Sequence, residues 1–166
     1  MEFNRYQKEW LPILVSHEEK LRTEEMSSDQ ALALGCTMVR IAKEKYAKPA
    51  AMRIILGGHV AFSFLMDGTS MNNNWWMDKK LNTCRTTGVS SIRSLVEVAE
   101  GLRPLEPEFE NEGDFALCGG CFPLRNAAGK LLGYVLASGL PHECDHQLMI
   151  DALSEYLNIS VPGILN

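Results

Sequence analysis

Two pairs of short β-rich runs constrain this 166-residue chain more than any other feature. Arg53-Ile54-Ile55-Leu56 and Val60-Ala61-Phe62-Ser63-Phe64 flank Gly57-Gly58, while Phe115 to Leu124 and Leu131 to Ser138 flank Asn126 to Lys130. Glycine supplies the positive backbone angles of a tight turn, so each pair predicts a β-hairpin. Hairpins imply an antiparallel sheet, one face of which needs cover from helices.

The remaining segments supply those helices. Phe3, Tyr6, Trp10 and Ile13 recur at helical spacing over residues 3 to 14, with Pro12 expected to bend or end that helix. His17 to Glu25 is dense in charge and reads as a solvated connection or short strand. Ser27-Ser28-Asp29 offers capping side chains for a helix from about Asp29 to Tyr46, whose apolar face is Leu34, Met38, Ile41 and Ala42. Asn72-Asn73-Asn74 can cap a third helix carrying Trp76, Met77, Lys80, Leu81 and Cys84, which Gly88 terminates. Ser90 to Gly101 repeats the scheme more briefly, Arg103 to Asp114 is a surface loop, and the last helix runs from about His142 to Leu157. The expected fold is α+β, a single domain over residues 1–166 with an antiparallel sheet of two hairpins flanked by helices.

Composition limits the function classes. With 46% hydrophobic and 22% charged residues the chain can bury one substantial core. Its net charge of -5 and pI near 5.4 give no field that attracts phosphate backbones or anionic lipid, so neither nucleic acid nor membrane is an expected partner. No run of 18 apolar residues occurs, and five irregularly spaced cysteines fit a reducing compartment, so the expected location is the cytoplasm. Gly-rich phosphate loops, His-Glu-x-x-His and Gly-x-Ser-x-Gly are missing, and no catalytic machinery is recognisable.

Three constellations can carry chemistry. His142 and His146, four apart, share a face of the last helix with Ile150, Leu153 and Leu157. The positive end of the helix dipole keeps such imidazoles neutral, the form that ligates a metal or heme iron; the alternative is a packing role on a core face. Cys118 and Cys121 bracket Gly119-Gly120, and across the hairpin Cys118 comes level with about Gly139. Cys118, Cys121, His142 and His146 then have the ligand types of a structural zinc site, provided the glycines break the pleat that otherwise sends thiols three apart to opposite faces. Trp76, Lys79 and Lys80, with Asn74 and Arg85 nearby, can stack on a planar ligand and pair with its carboxylates, or form a core tryptophan beside a solvated basic face.

One family resemblance joins these pieces. Asp29-Gln30-Ala31 with Leu34-Gly35, Trp76 with Lys79-Lys80, Ser90-Ser91, Gly119-Gly120 with Phe122-Pro123, and Ser138-Gly139-Leu140-Pro141-His142 with Asp145-His146-Gln147 resemble, in order and spacing, the GlcG/HbpS-like heme-degrading-domain family in its uncharacterised branch. The resemblance implies a profilin-like or GlcG-like sandwich that assembles as a homo-oligomer. It also implies a small planar or carboxylate-bearing ligand, heme being the named candidate, between the last helix and the tryptophan helix. His142, His146 and Trp76 would contact the ligand, and Lys79 and Lys80 would pair with its acids. Lys79 stands where the branch often has Arg, which loses a planar fork for carboxylates. Cys118 and Cys121 fall outside the shared pattern. The other expectations are an oligomeric assembly or interaction module without catalysis, and a zinc-stabilised domain.

Overall fold

A computed structural model describes residues 1–165; Asn166, included in the single-domain expectation, lies outside the described residues. Both hairpins form. The first consists of β1 (Ala51–Leu56) and β2 (His59–Leu65), the second of β3 (Cys121–Arg125) and β4 (Leu131–Ser138). They join antiparallel through β1 and β4 into one four-stranded sheet of order β2-β1-β4-β3. The chain is α+β, as its patterning implies.

Five helices cover the sheet: α1 (Trp10–Lys20), α2 (Ser28–Lys45), α3 (Met71–Thr87), α4 (Ser91–Ala99) and α5 (His142–Leu157). On one face α2 and α5 bury Leu34, Met38, Leu148 and Leu153 against Met52, Ile54, Phe122 and Val135. On the other, Met77, Leu81 and Cys84 of α3 cover Ala51, Ile55, Cys121 and Leu136. Alternate residues of β1 therefore serve opposite cores, which is why that central strand is apolar nearly throughout. Trp10 and Leu14 of α1 pack on Ile92 and Val96 of α4, closing the β3 end, where the Thr23 N–H donates to the Arg125 carbonyl at 3.2 Å. At the far edge, β2 has no strand beyond it among the described residues.

Three boundaries differ from the sequence reading. The first helix begins at Trp10, not near residue 3, and runs to Lys20 through the stretch expected to be a connection or strand. Pro12 falls in its first turn, where backbone N–H groups have no helical partner to lose. Trp10, Leu14 and His17 supply the buried stripe at helical spacing. The cap of α3 is Ser70, whose side chain accepts from the Asn72 N–H while Asn73 reaches back to the Ser70 N–H, so the asparagines lie inside the helix. Finally, β3 starts at Cys121, not Phe115. Gly120 has φ +129, and a Cβ on Gly119 would stand 2.2 Å from the His142 carbonyl oxygen, so the two glycines leave the pleat to pass beneath α5.

Candidate functional site

The corner between β4 and α5 organises the most polar part of the interior. Helix α5 starts after Pro141 with no side-chain cap, and carboxylates enter its first turn instead. Asp145 reaches back so that Oδ1 accepts from the Leu140 N–H at 3.0 Å, and Oδ2 takes the Lys80 ammonium at 2.8 Å. Lys80 also donates to the Ala137 carbonyl at 3.0 Å. The side chains of this pair are 3% and 2% exposed, so α3 is tied to the β4–α5 corner by a desolvated ion pair. Burial pushes the Asp145 carboxyl up, while Lys80 and the backbone N–H groups of Leu140 and Gly139 pull it down.

His142 stands one helical turn earlier with both ring nitrogens engaged. Nδ1 accepts from the Gly119 N–H at 3.1 Å, and Nε2 lies 2.7 Å from the Arg5 carbonyl. A carbonyl can only accept, so Nε2 carries the proton. Burial, reinforced by the Lys80 and Arg5 cations, holds this imidazole below its ordinary range against the pull of the Arg5 carbonyl, and it is neutral. The sequence reading also made it neutral, through the helix dipole; desolvation acts in the same direction.

A cavity of about 390 Å³ opens beside these groups, walled by Asn73, Trp76 and Lys80 of α3, by Cys118, and by Ser138, Gly139, His142 and Asp145 at the corner. A neighbour of about 370 Å³ is lined by Phe3, Lys79, Phe109, Phe115 and Leu117. Asn4 and Trp76 border both. The Trp76 indole is 39% exposed, with the Lys79 ammonium 4.6 Å from its ring centroid, a cation–π contact.

The residues singled out from sequence are therefore distributed as follows. Trp76, Lys80 and His142 share the first cavity, and Lys79 joins Trp76 at the second. Lys80 is not free to pair with a ligand's acids, because Asp145 already neutralises it. His146 lines neither cavity. It is fully buried, its Nε2 3.1 Å from Nδ1 of His17, whose own Nε2 is 2.6 Å from the Pro162 carbonyl. The four residues of the zinc expectation are also apart. Cys121 sits under α3 in the core with Cys84, Cys118 borders the first cavity, His142 is spent on Gly119 and Arg5, and His146 on His17. Among the described residues no group of three or more His, Cys, Asp or Glu side chains is set to hold a metal ion.

Sequence reasoning missed Asn4, Arg5 and His17. For His17 a signal existed, because it completes the Trp10–Leu14 stripe; for Asn4 and Arg5, which precede the first helix, no periodicity speaks. Among the described residues no helix is long and apolar enough to cross a membrane.

Comparison with known proteins gives a consistent result. A family profile described as "Haem degrading protein HbpS-like" matches residues 26–154. A UPF0303 protein of Psychromonas ingrahamii is 31% identical over 149 residues, 87% of this chain and 91% of that protein. A UPF0303 protein of Brucella anthropi is 33% identical over 146 residues, 87% and 85% of the two chains. Among solved structures, Ybr137w protein superposes with a TM-score of 0.77 at 24% identity, over 89% of this chain and 87% of that one. A PduOC:heme complex does so at 0.67 and 19%, over 82% and 98%. At such identities the superpositions speak for the fold.

Proposed function

The chain belongs to the HbpS-like family of haem degrading proteins, and on that premise we propose that it binds a small planar, carboxylate-bearing ligand in the cleft between α3 and the start of α5. The observation that carries this reading is that three unlike groups line two neighbouring cavities that share Trp76. Trp76 offers an exposed ring face, Lys79 a cation beside it, and His142 a neutral N–H donor. A flat body against indole and an acid against ammonium or imidazole N–H use each group for what it does best. Each cavity alone is at the small end of the roughly 300–1,000 Å³ range of ligand sites.

Heme, which the family name and the PduOC:heme complex suggest, meets this site only in part. Its ring and carboxylates suit Trp76 and Lys79. Its iron does not suit His142: ligation through Nε2 moves the proton to Nδ1, where it would face the Gly119 N–H, donor against donor. The remaining imidazoles of the corner, His17 and His146, are buried away from the cleft. A porphyrin is accordingly held by ring and acids, and no chemistry at iron is derived from these residues.

The test is a titration with metal-free protoporphyrin and, separately, hemin, followed by tryptophan quenching and by the absorption spectrum. The two bind within a few-fold of one another, and Trp76→Ala or Lys79→Ala weakens both. Absence of binding, or a hemin spectrum of imidazole-ligated iron that His142→Ala abolishes, refutes the reading.

A second reading concerns assembly. Among the described residues the outer edge of β2 is unpaired, and Val60 and Phe64 lie on it exposed beside half-buried Phe62, an edge that invites another strand. We propose that copies of the chain associate there, in the cytoplasm; five unpaired cysteines support a reducing compartment. Light scattering of Val60→Lys and Phe64→Lys tests the edge: a mass equal to that of the unaltered protein eliminates it.

A further inference from the structure

The N-terminal segment before α1 lines both cavities through Asn4. It has no helix or strand of its own, and residues 1, 2, 4 and 5 are exposed. Phe3 and Tyr6 are half-buried against the Leu95, Val98, Phe109 and Leu117 cluster, and the Tyr6 hydroxyl donates to Glu100 at 3.0 Å. Between these anchors and the cleft, three polar contacts latch the strap. The Asn4 amide donates to the Leu117 carbonyl at 2.8 Å, the Arg5 guanidinium pairs with Glu143, and the Arg5 carbonyl accepts from His142 Nε2.

Of the three, the Arg5 carbonyl on His142 is the contact that a ligand of the proposed class can replace. Carbonyl oxygen on an imidazole N–H is the interaction a carboxylate oxygen makes, and with charge it makes it more strongly. The Arg5 side chain is 76% exposed while its partner Glu143 is 5% exposed, so the latch is strong at one end and solvated at the other. Asn4 borders both cavities, of about 390 and 370 Å³, and lifting it opens each toward the other. Trp76, on the same boundary, would then stand midway along one cleft.

We infer that residues 1 to 5 are a displaceable strap whose Arg5 carbonyl occupies, on His142 Nε2, the place of a ligand's oxygen, and that a carboxylate-bearing planar molecule lifts the strap to bind along the joined cleft. The inference rests on the ligand reading above but separates from it by experiment. With the strap down, the protein protects its imidazole donor and closes its cleft; with the strap raised, the donor and the length of cleft needed by an extended molecule appear together. Asn4 and Arg5 become determinants of affinity although they belong to no regular element.

Diethyl pyrocarbonate, which acylates accessible imidazole nitrogen, reads the strap without any ligand. In Arg5→Ala and in Asn4→Ala, peptide mass spectrometry finds His142 acylated several-fold faster than in the unaltered chain. Exposed His59 reacts equally in all forms, and buried His17 and His146 stay unreacted. Both substituted side chains are exposed, and melting curves verify that the fold is intact. Protoporphyrin binding tightens several-fold in the same variants, and in the unaltered protein hydrogen exchange at amides 4 to 6 speeds up on adding protoporphyrin. Unchanged acylation, weaker porphyrin binding in the variants, or slower exchange with porphyrin overturns the strap. Faster acylation with no porphyrin binding by any form upholds the strap and removes the ligand reading alone.

Discussion

His17 and His146, 129 residues apart in sequence, lie stacked with ring centroids 5.3 Å apart and planes 23° from parallel, Nδ1 of the first 3.1 Å from Nε2 of the second. The Pro162 carbonyl fixes the proton of His17 on Nε2, so in the neutral pair His146 Nε2 donates to His17 Nδ1. One atom is left over: His146 Nδ1 is buried without a partner among the described residues. The pair thus fastens α1, α5 and the segment at Pro162 to one another, at the cost of a bare lone pair.

Burial holds both imidazoles below the ordinary 6.5, His146 well below it with the His17 and His142 charges acting in the same direction. Beneath 6.5 the unfolded chain therefore takes up protons that the folded chain refuses. The stability contributed by keeping these rings neutral is complete above about pH 6.5 and declines as pH falls toward the depressed folded values. Urea unfolding at pH 8 and at pH 5.5 should give a clearly lower midpoint at the acid end. His17→Leu alone strands the His146 N–H and costs about 1–3 kcal/mol at pH 8, whereas His17→Leu with His146→Leu costs less than the single change and flattens the acid slope. A double variant as acid-sensitive as the unaltered protein would contradict this.

Lys80 and Asp145 form the other interior polar pair, and they respond differently to loss of a partner. Lys80→Met keeps the stem and removes the charge, leaving Asp145 buried as an uncompensated anion. The expected loss is about 3–5 kcal/mol at neutral pH. Because burial already raises the Asp145 carboxyl, protonation relieves the variant as pH falls, and its deficit narrows between pH 7 and pH 5. A deficit independent of pH would mean that the carboxylate finds water in the cleft.

Gly119 and Gly129 offer a matched contrast within one hairpin region. Alanine at Gly119 must push its Cβ into the His142 carbonyl, and overpacking of that kind costs about 1–3 kcal/mol and shifts the start of α5. At Gly129 nothing lies within 4 Å, and only the positive φ of 84° resists substitution, at about 1 kcal/mol. Thermal melts of the two variants should rank them in that order, with protoporphyrin affinity altered only by Gly119→Ala.

The sheet and most helices were legible because their signals are local. Gly57-Gly58 between two β-rich runs, Ser27 before an amphipathic stretch and Gly88 after one each declare an element from within a few residues. The site was half legible for the opposite reason. His142, Trp76 and Lys79 announce themselves by type, but that Lys80 is spent on Asp145, and His146 on His17, depends on helices meeting across 65 and 129 residues of sequence. The N-terminal segment was misread, since Phe3 and Tyr6 share the helical spacing of Trp10 without being helical, and the contacts of Asn4 and Arg5 with Leu117, Glu143 and His142 lie more than 110 residues away in sequence.

The cysteines give a last test, of both metal and environment. Cys36 is exposed, Cys144 partly covered, and Cys84, Cys118 and Cys121 are buried. Burial raises the Cys118 and Cys144 thiols and raises Cys84 well above the ordinary thiol range, with Cys121 beside it adding to the effect. A thiol acts as nucleophile or zinc ligand through its thiolate, which disfavours both roles for Cys84 and Cys118, and Cys121 is shut away in the core under α3. Native protein treated with a thiol-reactive disulfide at pH 8 should react rapidly at Cys36, slowly at Cys144 and at the others only after unfolding; Cys36→Ser removes the fast phase. Purification in metal-free buffer should leave zinc far below one per chain, and chelators should not lower the melting temperature. Stoichiometric zinc, or a chelator-sensitive melt, would require Cys118 and Cys121 to turn toward each other, which the separation of Cys121 into the α3 core opposes.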